Sequence, residues 1–549
     1  MKNKILSATV ALFTAFACLM PAACKKNKTP DTDQTLEIFV VDAGYGVQWA
    51  KDIAELFKQE EWVKEKYPEL VVEVKSNDQK TFVQTKLGTP KLNTFDLMFG
   101  CYLQDQAGSP DIVNLTESVF NQKVPGEDIL FKDKIGASTL EELVYRDPQN
   151  PEADESYWSV PWQGGIQGLL YNKELLKEFG FDHEPYTTDE LYEMCVAIKK
   201  ARKKAEGVES EIYPFIQSSD ADYWSMYIFS TWWAQYQGIE GYNNFFEGID
   251  EAGIRSTGIF DQKGRLESLK VFEKLLRSND NPKDNTANFV HPQSFDVKFM
   301  VAQSAFLQGH AVFHVNGEWF DNEMKEMKAD IIKNGGKDYT IEFCNPIISA
   351  IKDVCDTIES EEELRALIKA IDAGSTAIKG EGYDVSQKDY DKVLEARFLS
   401  YGGADSSVVG IIPSYANGKG PAIDYLRYMA TDKANEAYIK ATYGTKLCFK
   451  YDMKTKSPEL YESLTPSHKK ITDMMTNPIT EFKTLRYAKS FPLRGYGDVK
   501  PFVDEKYYEK FSSKNNKKTP QMFFDETKTY WTNNNSAAWQ AALGRAGLN

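Results

Sequence analysis

Short apolar runs alternate with helical spacing early in this chain, and that alternation limits the folds that it can adopt. The runs that suit buried strands are Leu36–Val41, Val71–Val74 and Phe95–Gly100. After the first run, Trp49, Ile53, Leu56 and Phe57 fall on one face of a helix. A strand–helix order of this kind predicts an α/β fold, in which helices cover a parallel sheet on both faces.

Two turns follow predicted strands in this segment, at Asp42–Gly46 and at Gly100–Gln104. In open parallel sheets the ligand site lies at the carboxyl ends of the strands, so both turns are candidate contact regions. The residues that we expect to contact a ligand here are Asp42, Tyr45, Trp49, Tyr102 and Gln104. For Trp49 the alternative is a helix residue that packs on the sheet.

The N-terminus has the features of an export signal. Lys2 and Lys4 precede an apolar stretch over residues 5–20, which is too short to be read as a membrane-spanning helix. The letters PAAC, ending at Cys24, resemble the lipobox of bacterial lipoproteins, which implies that Cys24 is lipidated after cleavage. An ordinary secretory signal, or a lipidated Cys18, is the alternative.

We therefore expect a signal peptide over residues 1–23 and a flexible polar tether over residues 24–35. The lipid on Cys24 would hold the exported protein on the extracytoplasmic face of the cell membrane. The envelope type decides whether that place is the cell surface or the periplasm.

The length and the composition of the chain limit the number of domains and the kinds of partner that we expect. The length of 549 residues predicts two or three domains. A formal net charge of −16 argues against nucleic acid or another anionic polymer as partner. The cysteines are sparse and form no CxxC pair, which argues against a disulfide framework or a cysteine metal site. The 10 Trp, 29 Tyr and 32 Phe exceed what a core needs and favour an aromatic binding surface.

The sequence signatures of common enzyme classes do not occur. We find no HExxH, GxSxG, GxGxxG or P-loop pattern. His310 and His314 are four residues apart on a predicted strand without a Glu between them, and they fit structural roles. We expect no enzymatic activity, no metal and no cofactor, although a pair of glycosidase carboxylates needs no sequence signature.

A segment near residue 165 marks a crossing between two halves of the molecule. Pro161 excludes a helix through Val160, and Gly164 and Gly165 suit a crossing. A strand begins near Leu169, and a helix follows it. The letters VPW…GI.GLLYNKELLKEFG resemble the crossover segment of extracellular solute-binding proteins of carbohydrate ABC importers, the maltodextrin-binding class.

Three later segments are similar to that family and occur in the family's order. They are residues 306–319, residues 420–444 and the closing stretch from Trp539 to Gly547. The resemblance implies an α/β, two-lobed periplasmic-binding-protein-like fold of class II. Each lobe would be a mostly parallel sheet flanked by helices, with a cleft between the lobes.

The resemblance also implies domain bounds. Lobe 1 would comprise residues 36–163 and 408–452. Lobe 2 would comprise residues 164–345 and the C-terminal helices of residues 453–549. Residues 346–407 would hold an insertion and the second crossing, which departs from the maltodextrin-binding pattern. In this insertion Ser360 and Glu363 form a capping box, before an apolar helical stripe of Leu364, Leu367, Ile368 and Ile371.

Further candidate contacts lie at the family's crossover, after a later predicted strand, and in a polar loop that opens an aromatic helix. We expect them at Trp162, Gln163, Asp222, Trp224, Asn316, Glu318 and Trp319. Asp220 is an alternative to Asp222, and helix packing is the alternative role of Trp319. Trp233, in the aromatic helix after Trp224, fits the core better than the site.

The function that the resemblance implies is capture of a carbohydrate by lobe closure and its delivery to an ABC transporter permease. We expect an oligosaccharide or glycoside as the solute and a monomer as the working form. A peptide or polyol is the other solute class. The alternatives are a starch-utilisation-type outer-membrane glycan-binding lipoprotein, built mainly of helical repeats, and a lipid-anchored glycoside hydrolase.

Overall fold

The computed structural model describes most of the chain after the predicted tether. The described residues are 34–79, 81–101, 103, 106–147, 150, 152–205, 207, 210–220, 225–276, 289–402, 408–485, 518–533 and 536–545. Cys24 and the predicted signal peptide therefore lie outside the described residues. Among the residues that are described, no helix has both the length and the apolar character that a membrane span needs.

The strands and helices alternate along the chain, as the early segment predicts. The strands are β1 (Thr35–Val41), β2 (Val71–Asn77), β3 (Leu97–Cys101), β4 (Val144–Tyr145), β5 (Ser156–Tyr157), β6 (Val160–Pro161), β7 (Ile166–Asn172), β8 (Tyr213–Phe215), β9 (Ala311–Gly317), β10 (Ile341–Cys344), β11 (Lys379–Gly380), β12 (Tyr383–Asp384), β13 (Leu399–Gly402), β14 (Val408–Ile411) and β15 (Lys483–Leu485). The helices are α1 (Gln48–Gln59), α2 (Glu61–Lys66), α3 (Phe82–Leu87), α4 (Ala137–Leu143), α5 (Lys173–Glu178), α6 (Thr188–Ala201), α7 (Ser225–Gln237), α8 (Ile239–Glu247), α9 (Lys263–Leu276), α10 (Phe299–Leu307), α11 (Phe320–Lys333), α12 (Glu361–Asp372), α13 (Gln387–Arg397), α14 (Lys419–Met429), α15 (Asp432–Ala441), α16 (Met453–Lys456), α17 (Pro458–Ser463), α18 (Pro466–Met475), α19 (Pro520–Asn533) and α20 (Ser536–Arg545).

Lobe 1 is built on a sheet with the strand order β2-β1-β3-β14-β6. β1 pairs parallel with both β2 and β3, because a helix returns the chain between successive strands. The predicted face of α1 is confirmed: Trp49, Ile53 and Phe57 are buried against this sheet and α15, while Leu56 is half-buried. These side chains form the core of lobe 1.

Lobe 2 is built on a second sheet with the order β15-β13-β7-β9-β8, and β10 also pairs with β7. Its core is separate from that of lobe 1 and contains side chains from α6, α7, α9 and β9. The last described helix, α20, reaches this core through Trp539, which packs against Trp531 and Phe260. The predicted two-lobed α/β fold is therefore confirmed.

The sheets are mixed rather than mostly parallel, which corrects one detail of the expected fold. In lobe 2 the central β7 runs antiparallel to β9, β10 and β13, and in lobe 1 β14 runs antiparallel to β3 and β6. The crossings explain part of this pattern. β6 leads the chain out of lobe 1 and β14 leads it back, while β7 enters lobe 2 and β13 leaves it, so the members of each pair run in opposite directions.

The insertion packs on lobe 2, and its helix α12 begins where the capping box predicts. The Ser360 side chain accepts a hydrogen bond from the Glu363 N–H at the start of α12. The predicted stripe of Leu364, Leu367, Ile368 and Ile371 is buried in the core of lobe 2. The insertion therefore enlarges lobe 2 rather than forming a lobe of its own.

Candidate functional site

The first crossing joins β6 of lobe 1 to β7 of lobe 2 through a glycine pair. The Gly164 N–H donates to the carbonyl of Lys446 over 2.9 Å, and a Cβ on Gly164 would lie 2.7 Å from the Cys448 Cα. A Cβ on Gly165 would lie 1.4 Å from the carboxyl group of Glu318. Gly164 has no room for a side chain because the backbone of Leu447 and Cys448 lies against it, and a side chain on Gly165 would displace the Glu318 carboxyl. Several segments therefore meet at this crossing.

Aromatic rings of lobe 1 surround Trp162, which lies two residues before the glycine pair. The ring of Trp162 stacks on Trp49, with centroids 5.2 Å apart and planes 16° apart. Tyr45 meets the same ring edge-on at 5.6 Å. Trp162 is 1 % exposed, yet its Nε1 has no hydrogen-bond partner among the described residues, and neither has Gln163 Oε1. Two polar atoms beside the crossing are thus buried with unused hydrogen-bonding capacity.

Lobe 2 meets this cluster directly. The Trp319 ring lies edge-on to Tyr45 with centroids 6.0 Å apart, and it packs against the cores of both lobes. Asn322 Nδ2 donates to the Gly44 carbonyl over 2.6 Å. A Cβ on Gly44 would lie 2.9 Å from Trp319 Cδ1, so a larger residue in this turn would push the lobes apart. The Asp42–Gly46 turn is therefore a lobe–lobe contact.

Two tyrosines that are not among the residues predicted from the sequence extend the aromatic surface into lobe 2. Tyr227 of α7 meets Trp319 edge-on at 6.3 Å and stacks on Tyr401 of β13 at 5.1 Å. Both tyrosines are half-buried. Sequence signals existed for both, because Tyr401 comes just before the second crossing and Tyr227 lies three residues after the predicted contact Trp224. Rings from both lobes thus form one continuous strip.

Glu318 is an acidic residue at the crossing, and it directly follows β9. It is 3 % exposed, and neither of its carboxyl oxygens has a hydrogen-bond partner among the described residues. Burial raises the pKa of Glu318 to about 8, although the ammonium group of Lys446 acts to lower it. Burial likewise lowers the pKa of Lys446 to about 8, against the effect of Glu318. A protonated Glu318 can donate as well as accept a hydrogen bond.

Three other expected contacts have roles within the protein. Trp49 is fully buried, and its Nε1 donates to the Gly46 carbonyl over 3.1 Å, in keeping with its alternative role as a packing residue. Asn316 Nδ2 donates to Gln303 Oε1 over 3.1 Å inside lobe 2. Asp42 is exposed, and its N–H donates to the Asn77 carbonyl over 2.8 Å. As ligand contacts, these residues stay predictions.

Four expected contacts fall on residues that the structure does not describe. Tyr102, Gln104, Asp222 and Trp224 lie outside the described residues. The described residues nearest to them in sequence include Cys101 at the end of β3 and Ser225 at the start of α7. For the alternative contact Asp220, one carboxyl oxygen accepts a hydrogen bond from the Phe299 N–H over 2.8 Å.

The described part of the chain contains no group of three or more His, Cys, Asp and Glu side chains that could hold a metal ion. His314 points into the core of lobe 2, where its Nδ1 donates to the Ile216 carbonyl over 2.7 Å. His310 packs beside His291, with ring centroids 5.5 Å apart. Both predicted structural roles for His310 and His314 agree with these contacts.

Two α/β lobes, joined by close crossings and meeting through aromatic and polar side chains, define the class of two-lobed solute-binding proteins. Residues 43–341, more than half of the chain, match the sequence model of the family described as bacterial extracellular solute-binding protein, and the chain belongs to that family. No curated protein matches the chain closely enough to identify it further.

Solved structures show the same fold. A chitin oligosaccharide binding protein has a TM-score of 0.55 at 12% identity, covering 93% of this chain and 99% of its own. A structure from a study of xylan utilisation by Caldanaerobius polysaccharolyticus has a TM-score of 0.54 at 14% identity, covering 90% and 100%. Maltose-bound MalE3 of T. maritima has a TM-score of 0.50 at 16% identity, covering 90% and 99%. At such identities the likeness shows the fold alone.

Proposed function

We propose that this protein captures a carbohydrate, as an oligosaccharide or glycoside, between its two lobes. The observation that carries the proposal is the aromatic strip that runs from Trp162 through Tyr45 and Trp319 to Tyr227 and so spans both lobes. The C–H faces of sugar rings pack on aromatic rings, while amide and carboxyl groups pair with hydroxyls. Gln163 and Glu318 supply such groups next to the strip.

Lobe closure is the mechanism that we propose for capture. A sugar that contacts both lobes binds the closed form better than the open form and therefore shifts the population towards closure. The direct contact of Tyr45 with Trp319 and the hydrogen bond from Asn322 to Gly44 would form as the lobes close. No chemical step on the sugar is part of this mechanism.

The remaining parts of the proposal concern transport. The closed, loaded monomer delivers its sugar to the permease of an ABC transporter, and a lipid on Cys24 holds the protein at the extracytoplasmic face of the membrane. Membership of the extracellular solute-binding family supports this role. The mixed two-sheet fold speaks against the alternative of a glycan-binding lipoprotein built of helical repeats.

A thermal-shift screen tests the carbohydrate proposal. The sugars that the solved relatives suggest are xylotriose, chitotriose and maltotriose. A sugar at a hundred times its Kd stabilises the native state by about 2.7 kcal/mol, which raises Tm by several degrees. No shift with a wide panel of oligosaccharides would overturn the carbohydrate proposal, and shortened sugars in the sample would favour the glycoside hydrolase alternative.

A matched pair of tryptophan variants locates the site. Trp319→Ala removes a half-buried ring from the lobe junction, and we expect it to weaken binding of the best sugar at least tenfold. Trp62→Ala is the control, because Trp62 is also half-buried but packs on Phe57, within lobe 1. Equal affinities for both variants, measured by calorimetry, would remove Trp319 from the site.

A further inference from the structure

Glu318 belongs to lobe 2 and is buried at the first crossing, where the Gly164 N–H donates to the Lys446 carbonyl of lobe 1. Its carboxyl group lies directly over Gly165 of the first crossing, and its N–H donates to the Ile166 carbonyl over 3.1 Å. Among the described residues of lobe 1, the titratable groups that interact with it electrostatically are the ammonium group of Lys446 and the hydroxyl of Tyr438. The burial of this carboxyl therefore depends on how the two lobes sit against each other.

The surroundings of Glu318 supply no hydrogen bond that would stabilise its charge. Both carboxyl oxygens lack a partner among the described residues, and so does the Tyr438 hydroxyl. Among the described residues, Lys446 is the cation that acts on Glu318, and it also interacts with Lys454 and Asp473. On the next helix, α11, the Asp321 carboxylate accepts hydrogen bonds from Thr465 and His468. A buried carboxylate in such a place favours its protonated form.

We propose that closure of the lobes takes up a proton at Glu318, so that solute capture is coupled to pH. With the lobes apart, water reaches the carboxyl group and it is ionised at neutral pH. With the lobes closed, the carboxyl group is desolvated and carries a proton. The inference rests on the proposed function only in that it assumes lobe closure, and it holds for any solute that closes the lobes.

The direction of the effect follows from linkage. The ordinary pKa of the carboxyl is 4.5, and burial raises the pKa to about 8 in this structure. Between these values the closed form binds more protons than the open form, so closure becomes weaker as the pH rises. One coupled proton limits the effect to about tenfold in affinity for each pH unit. Below 4.5 and above about 8 the affinity is independent of this group.

Calorimetry measures the coupled proton directly. We would titrate the protein with whichever of xylotriose, chitotriose and maltotriose gives the largest thermal shift, at pH 6.5, in two buffers of different ionisation enthalpy. The expected result is uptake of up to one proton by the wild type and of none by Glu318→Gln. Glu362→Gln, an exposed glutamate on α12, is the matched control and should behave as wild type. Zero uptake by the wild type would overturn the inference.

Scattering without any sugar gives a second test. We expect the radius of gyration of the wild type to increase between pH 5.5 and pH 8.5, because the open form gains population, and that of Glu318→Gln to stay constant. If no sugar of the wide panel binds, the carbohydrate proposal fails, and this measurement alone decides the inference. An unchanged radius in the wild type would then refute it.

Discussion

At the scale of single residues, the crossing depends on close contact between a glycine and a carboxyl group. Gly165→Ala would place a Cβ 1.4 Å from the Glu318 carboxyl, so that buried side chain must move. Overpacking of this kind reduces the free energy of unfolding by about 1–3 kcal/mol. In the background of Glu318→Ala the clash is absent, and the same substitution should reduce stability much less.

Urea denaturation of the four proteins in this double-mutant cycle measures the difference. Gly136→Ala is a control, because a Cβ there would have no heavy atom within 4 Å. Equal losses of stability from Gly165→Ala in both backgrounds would show that Glu318 does not lie against this glycine.

The buried imidazole of His314 makes the stability of lobe 2 depend on pH. Burial lowers its pKa from 6.5 to about 4, although the hydrogen bond to the Ile216 carbonyl acts to raise it. Between these values the unfolded chain binds a proton that the folded chain does not, so the free energy of unfolding falls as the pH falls. The loss amounts to about 3 kcal/mol and is complete below pH 4.

His314→Gln keeps an N–H donor but does not titrate, so its stability should decline less between pH 6.5 and pH 4 than that of the wild type. Phe306→Leu is the control for lost packing, because the Phe306 ring lies 5.3 Å from that of His314. We expect Phe306→Leu to shift the whole curve without changing its slope. Identical pH profiles for wild type and His314→Gln in urea denaturation would disprove this prediction.

At the scale of elements, the inserted helix α12 depends on its cap. Ser360→Ala removes the oxygen that accepts a hydrogen bond from the Glu363 N–H, which we expect to lower the free energy of unfolding by about 1 kcal/mol. Thr81→Ala is the matched control, because Thr81 occupies the same position at α3 but makes no side-chain cap. Chemical denaturation compares the two. A loss with Thr81→Ala as large as with Ser360→Ala would contradict the role of the cap.

Elements were predictable where local patterns decide them. The apolar stripe of α12 and the helical face of α1 were both correct, because each follows from side-chain spacing within one helix. The pairing of β7 was not predictable in this way. Its antiparallel partners β9, β10 and β13 all lie far from β7 in the sequence. Their direction relative to β7 depends on where the chain crosses between the lobes.

At the scale of the whole molecule, the hydrogen bond from Asn322 to Gly44 joins the lobes. Asn322→Ala removes this bond, whose net contribution is about 0.5–1.5 kcal/mol, so we expect affinity for the best sugar to fall by up to about tenfold. Asn334→Ala, at the exposed end of the same helix α11, is the control and should leave affinity unchanged. Calorimetry measures both, and unchanged affinity in Asn322→Ala would show that the bond does not stabilise the closed form.

The candidate site was predictable in part. Tyr45, Trp162 and Trp319 follow strand ends or crossings in the sequence, and the structure brings these three rings together. Tyr227 and Tyr401 were not singled out, because a tyrosine in an aromatic helix or strand is as well suited to the core. Their place in the strip depends on how α7 packs against β13 and β9.

The sequence by itself determined the α/β elements, the glycine crossing and the family, because these depend on residue spacing and on motifs in a fixed order. The tertiary structure alone decided the strand directions, the aromatic strip and the burial of Glu318. Each of these requires segments more than 100 residues apart to meet, as Gly165, Glu318 and Lys446 do. Desolvation is a property of such a meeting and not of any one segment, so no local pattern encodes it.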